Sequence, residues 1–273
     1  MIGLVLAGFG ISPLVSAPLA RYLIVTKGII PTFLYLGLAF LVILPLLSSL
    51  MNSPETPLSS AKEEPTEPLE KQINSKEMRK LPSFHQLYLC YFLGTSIGLT
   101  MIGLSYPIGV HYMQASPQSI AWMISLFAIS NGLGRPFFGW FTDRFSPLSS
   151  MRLSFGMILL AVGLMLIFKE NSLFIFGLSF CLFWFTLGGW LSLAPAATLR
   201  FYGVQYFSQN YGLLFTAYRA GALFGVLASG FLKDWLGHYQ GIFWFITALA
   251  VLGMIFSRCL AQKKHTLQKQ SHI

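Results

Sequence analysis

Charge is scarce in this chain. Asp, Glu, Lys and Arg make up only 10% of its 273 residues, where a soluble globular domain carries roughly 25%. Too few ionised groups remain to solvate a folded surface, so the sequence is read as one whose solvent is the bilayer. Acids are the scarcest. The nine Asp and Glu are Glu55, Glu63, Glu64, Glu67, Glu70, Glu77, Asp143, Glu170 and Asp234. All lie in loops or near the ends of apolar runs. That pattern excludes a mid-membrane carboxylate relay and argues against a site for cations. Cysteine is almost as rare: Cys90, Cys181 and Cys259 fall in apolar runs with no motif spacing. No metal site, disulfide framework or cofactor is expected, and the thiols read as space-filling. An enzyme is not expected either. The chain has no His-Glu-x-x-His, no mid-span histidine, and no second glycine after Gly177-Leu-Ser-Phe180 or Gly10-Ile-Ser-Pro13. The start of the chain lacks the basic stretch of a signal peptide, and reads as opening inside an apolar helix.

What is present is apolar length. Hydrophobic residues make up 55% of the chain and mean hydropathy is +0.65. Runs long enough to cross about 30 Å of hydrocarbon recur at about 3–25, 29–50, 85–112, 117–140, 149–168, 171–198, 208–232 and 238–260. Backbone groups in lipid must be satisfied within the segment, so these runs are predicted helices, and alternating barrel strands are not seen. The expected fold is an all-α membrane protein of about eight transmembrane helices.

The net charge of +9 might suggest nucleic acid, but its distribution points to a membrane. With eight alternating spans, one side holds Lys62, Lys71, Lys76, Arg79, Lys80, Arg135, Arg144, Arg152, Arg200, Arg258, Lys263, Lys264 and Lys269. The other holds Lys27, Lys169 and Lys233. Such asymmetry places residues 51–84 and the C-terminus in the cytoplasm, in a multi-pass protein of the inner or plasma membrane.

Residues 51–84 hold Pro54, Pro57, Pro65, Pro68 and Pro82 among six glutamates and five Lys/Arg, and read as a solvated cytoplasmic linker. The expected organisation is two helices over 1–50, the linker over 51–84, a six-helix bundle over 85–260, and a basic tail over 261–273. Small residues recur every four positions in the first run (Gly8, Ser12, Ser16, Ala20) and the seventh (Ala217, Gly221, Gly225, Ser229). Such stripes let helix backbones approach closely.

Two cations break the apolar pattern. Arg135 lies about two turns inside the fourth run, with Asn131 on the same helical face. A guanidinium keeps its charge and offers a planar fork that matches a carboxylate. The alternative is a structural arginine that ties down the next loop. Arg219 lies near the middle of the seventh run, about 200° around the helix from Ala217. It reads either as a second anion ligand or as a partner of backbone carbonyls. With no buried acid to neutralise these cations, an anionic substrate is favoured. Trp184 and Trp190 lie in the glycine-interrupted sixth run and could wall a site or pack the core. His111 and Arg21 read as residues near helix ends.

Four stretches, in order, carry a family resemblance. They are Ala7-Gly-Phe-Gly-Ile-Ser-Pro-Leu14 with Ala17-Pro-Leu19, Asn131-Gly-Leu-Gly-Arg-Pro136, Gly139-Trp-Phe-Thr-Asp-Arg144, and Asn210-Tyr-Gly-Leu-Leu-Phe-Thr-Ala-Tyr218. The chain resembles the major facilitator superfamily, and within it the oxalate/formate antiporter family and, more distantly, monocarboxylate transporters. The resemblance implies helices five to twelve of a twelve-helix carrier, N-terminally truncated: a partial fold with a complete C-terminal six-helix bundle.

By that resemblance, Arg135 meets a substrate carboxylate, with Asn131, Arg219 and Trp190 as further substrate-binding residues. Gly139, Asp143 and Arg144 would form the gating motif. Two departures stand out. Phe145-Ser-Pro-Leu-Ser149 replaces the usual glycine and basic pair, and Leu199-Arg200 stands where relatives often carry an acid before Phe201-Tyr-Gly203. The implied function is a secondary transporter, or a truncated remnant of one, for a small mono- or dicarboxylate. It would work by antiport or proton symport with alternating access, and its partners would be the lipid bilayer, the carboxylate, and protons or a counter-anion. The alternative is a non-transporting fragment or assembly partner, inactive for lack of four helices.

Overall fold

The computed structural model describes residues 19–20, 22–50, 72–168, 172–236 and 239–270. The chain divides into two compact units, Ser12–Glu70 and Lys71–Ile273 with Met1–Ile11. The described residues are almost entirely helical and contain no strand. Six of their helices are long and apolar enough to cross a membrane: Ile29–Ser49, Pro82–Tyr112, Pro147–Phe168, Leu173–Tyr202, Phe207–Phe231 and Tyr239–Arg258. The protein is an all-α membrane protein.

In the smaller unit, residues 22–27 are helical, and α1 (Ile29–Ser49) follows at Gly28. Gly28 takes a left-handed φ of 88°, which glycine adopts without a Cβ clash. The Thr32 hydroxyl donates to the Gly28 carbonyl at 2.7 Å, and Thr32 is the one buried residue of α1. The expected first run, 3–25, and its small-residue stripe lie mostly outside the described residues.

The larger unit opens on a short helix, α2 (Ser75–Met78), then α3 (Pro82–Pro107). Pro107 leads into a wider π turn, Ile108–Tyr112, where the Met113 amide reaches back to the Ile108 carbonyl at 3.0 Å. Four long helices complete the bundle with a kinked pair: α4 (Pro117–Arg144), α5 (Pro147–Phe168), α6 (Leu173–Tyr202), α7 (Phe207–Leu214) leading into α8 (Thr216–Leu236), and α9 (Tyr239–Gln270). The helix expected over 117–140 is therefore present as α4, 28 residues long. It is less apolar than the others because serines, Asn131, Arg135 and Pro136 interrupt it. At roughly 1.5 Å per residue it exceeds the hydrocarbon thickness.

Helix α6 is the hub. It packs on α4, α5 and α3, while α8 lies along α3 and α9 fits against α5 and α3. The α4–α6 contact is the tightest. A Cβ on Gly134 would run into the Phe185 carbonyl, and one on Gly188 into the Asn131 carbonyl. The two backbones therefore touch directly, which dispersion and lipid release reward in a bilayer. On the other flank the expected stripe of α8 faces inward. Ala217, Gly221 and Gly225 are buried, and the Thr100 hydroxyl of α3 reaches the Gly225 carbonyl at 3.4 Å.

Helices α4 and α5 meet at a hydroxyl-fastened corner. Thr142 donates to the Ser150 hydroxyl at 2.8 Å, and the Ser146 hydroxyl accepts from the Ser149 amide at 3.1 Å, an N-cap that satisfies a free helical donor. The last part of the expected linker is not free in solvent. Residues 72–80 lie on the bundle, where the Ile73 amide donates to the Tyr202 carbonyl at 3.1 Å, and Asn74 caps α2 by accepting from the amides of Lys76 and Glu77 at 3.0 and 2.9 Å. Met78 is fully buried beyond it. Residues 51–71 lie outside the described residues.

The backbone contact makes a direct prediction. Gly188→Ala will destabilise the purified protein by about 1–3 kcal/mol, the usual cost of overpacking. Gly163→Ala, where a Cβ meets nothing within 4 Å, will leave stability equal or raise it by up to about 1 kcal/mol. Thermal unfolding in detergent measures both, and equal behaviour of the two variants contradicts the close approach.

Candidate functional site

The α4–α6 contact decides where Arg135 goes. Gly134 abuts the Phe185 carbonyl, so the next side chain on α4 is carried into the bundle rather than toward lipid. Arg135 is 3% exposed. Four residues earlier, the Asn131 amide donates to the Trp184 carbonyl of α6 at 2.9 Å. The Trp184 indole N–H in turn donates to the Ser105 hydroxyl of α3 at 3.1 Å. One polar chain thus ties α4, α6 and α3 together, starting one turn from Arg135 on α4.

Arg135 lies within electrostatic reach of the Tyr218 phenol on α8. Tyr218 belongs to an aromatic wall. It stacks on Phe215 at 5.1 Å and 9° and meets Tyr91 of α3 at 6.1 Å. Tyr91 stacks on Trp190 at 6.0 Å, and Tyr211 interacts with both Tyr91 and Tyr218. Three phenols and a permanent cation therefore share one region. Phenol O–H and guanidinium N–H groups are all donors, so the array is built to receive acceptor oxygens.

The other expected site residues fall in three places. Trp190 is fully buried; its indole lies flat in the notch of Gly94 and against Phe155 at 5.5 Å, so it stands behind Tyr91. Arg219 is exposed, while its neighbour Tyr218 turns inward; successive helical residues point about 100° apart. Gly139 is buried, and Asp143 and Arg144 are exposed at the end of α4, beside the Thr142–Ser150 corner. Arg135 and Asn131 thus lie one turn apart on α4, the first buried and the second half-buried, and Arg219 is exposed on α8. Glu77 and Asp143 are exposed. No group of three or more His, Cys, Asp and Glu that could hold a metal ion occurs among the described residues.

Sequence reasoning missed Tyr91, Tyr211, Phe215 and Tyr218 as site residues. A signal was available for part of this wall. Phe207, Tyr211, Phe215 and Tyr218 recur at spacings of four, four and three, the spacing of one helical face. Tyr91 carried no such mark, because only tertiary packing brings α3 to α8.

A family model described as Major Facilitator Superfamily matches residues 87–272, covering α3 to the end of α9. The chain belongs to this superfamily. Among curated superfamily relatives, the "Oxalate:formate antiporter" of Oxalobacter formigenes is 26% identical over 224 residues, 82% of this chain and 52% of the relative. An uncharacterized MFS-type transporter of Escherichia coli (strain K12), YhjX, is 22% identical over 155 residues, 57% of this chain and 38% of the relative. The chain spans about half the length, or less, of these major-facilitator relatives.

The polar chain beside Arg135 can be tested without a ligand. Asn131→Ala deletes the tie to Trp184 and will lower stability by about 1 kcal/mol, read as a fall in unfolding temperature in detergent. An unchanged melt contradicts a fastening role for Asn131.

Proposed function

We propose that this chain forms part of a secondary carrier for a small organic anion, a mono- or dicarboxylate, with Arg135 as the cation that meets the carboxylate. The carrying observation is the guanidinium held inside the α4–α6–α8 region with Tyr218 beside it. A carboxylate supplies two coplanar acceptors for the fork of Arg135 and further lone pairs for phenol hydroxyls. Its charge offsets the cost of a cation at this depth. The oxalate and formate in the name of one relative are anions of this class. Asn131 holds the helix that carries Arg135, Trp190 supports Tyr91 from behind, and Arg219 serves as an outer cation that attracts the anion.

Transport follows by alternating access, coupled to a counter-anion or to protons. Gly139, Asp143 and Arg144 act in gating, at the corner where α4 turns into α5. The bundle over 85–260, the preceding pair of helices over 1–50, the linker over 51–84 and the tail over 261–273 serve as its working parts. The asymmetry of Lys and Arg supports a cytoplasmic linker and C-terminus. A second reading is favoured by the 52% of the antiporter relative that the match spans: this chain binds the anion and moves it only with a further bundle.

Labelled oxalate separates these readings. In nanodiscs, Arg135→Lys will weaken binding about tenfold by losing the fork, and Arg135→Gln will weaken it about a hundredfold by losing the charge. The folded fraction will be unchanged. Binding that is indifferent to both substitutions contradicts the proposed site. Binding without uptake into proteoliposomes supports the second reading over the first.

A further inference from the structure

One fully buried polar side chain takes no part in the proposed anion site. Asn210, on α7, is 0% exposed and uses both ends of its amide on residues that precede the bundle. Its nitrogen donates to the Ile73 carbonyl at 2.8 Å. Its oxygen accepts from the Ser75 hydroxyl at 2.9 Å. Two more bonds hold the same strap to the corner between α6 and α7. The Ile73 amide donates to the Tyr202 carbonyl at 3.1 Å, and the Gln72 side-chain Oε1 accepts from the Gln205 backbone N–H at 3.0 Å. Gly203 makes room for this. It takes a φ of 85°, and the Gln72 side chain lies where a Cβ would stand.

Asn210 is followed by Tyr211, whose ring stacks on Phe207 at 5.7 Å and 2°. Tyr211 also leans on Phe215 at 5.6 Å, and Phe215 stacks on Tyr218. The base of this helix is held a second time, where the Thr216 hydroxyl donates to the Tyr88 hydroxyl of α3 at 3.2 Å. We infer that Asn210 is a positioning residue: it pins the strap of residues 72–78 to α7 and thereby sets where the Tyr211–Phe215–Tyr218 face stands beside Arg135. A pull on the linker then reaches the tyrosine wall through two hydrogen bonds and a run of ring contacts, stacked or tilted, a contiguous route of the kind that carries coupling between sites. The inference rests on the proposed anion site only for its functional consequence, since the mechanical link is independent of any ligand.

The test uses the full chain in nanodiscs with two readouts. Hydrogen–deuterium exchange, measured without ligand, reads the opening of local segments. Asn210→Ala will raise exchange at least about threefold over residues 207–218 as well as 72–78, and Ser75→Ala will do so less. The double variant will match Asn210→Ala, because both cut one tie. Oxalate binding will weaken roughly three- to tenfold in Asn210→Ala and will recover in part in Asn210→Asp, which keeps the bond from Ser75. Exchange confined to 72–78, with 207–218 unchanged, overturns the inference. If Asn210→Ala does not fold, Ser75→Ala alone decides by the same criterion. Absence of oxalate binding in the unsubstituted chain overturns the anion reading instead, and the exchange experiment still decides this one.

Discussion

The backbone contact between α4 and α6 is the constraint on which the site depends. In a bilayer, lipid tails are as apolar as leucine, so helices gain little by hiding apolar side chains from one another. Close packing has to do the work. Gly134 and Gly188 let the two helices touch carbonyl to Cα, and Asn131 locks that contact with a bond to Trp184. The register this fixes carries Arg135 inward. Shift α4 by one residue and the guanidinium turns about 100°, toward lipid or a neighbouring helix.

Placing a guanidinium there is costly, and the surroundings show how the cost is met. Tyr218 lies within electrostatic reach of Arg135, and the Tyr91 and Tyr211 phenols interact with Tyr218 in turn. Trp190, which could wall a site or pack the core, is pressed into the Gly94 notch. Its contribution is rigidity for the ring of Tyr91, the kind of support that keeps a binding geometry from loosening.

Much of the fold was legible because bilayer thickness imposes a length that sequence displays directly. Runs at 85–112, 149–168, 171–198 and 208–232 correspond to the helices Pro82–Tyr112, Pro147–Phe168, Leu173–Tyr202 and Phe207–Phe231. The helices run past the apolar windows at their ends, as at Arg200 and Tyr202, because helical hydrogen bonding continues into the interface after hydropathy has fallen. Arg135 and Asn131 were legible as an inward pair because they sit four apart among glycines. The pairing of Arg135 with Arg219 was less so. Hydropathy marks both as costly cations, but only packing shows that the α8 stripe faces α3 and so turns Arg219 out and Tyr218 in. The strap at 72–78 was hidden for another reason. Its polar and charged residues continue the proline-rich linker before it, while the bonds that dock it, from Asn210 to Ile73 and Ser75, span more than 130 residues of sequence.

The most direct test of the central claim is the distance between a bound carboxylate and the Arg135 guanidinium. Solid-state NMR on the reconstituted chain, with 13C-labelled oxalate and 15N-labelled arginine, measures it. The account predicts a dipolar contact of about 4 Å, the separation of a hydrogen-bonded fork and carboxylate, that vanishes in Arg135→Gln. A contact that survives in Arg135→Gln, or bound oxalate with no arginine contact, would contradict it.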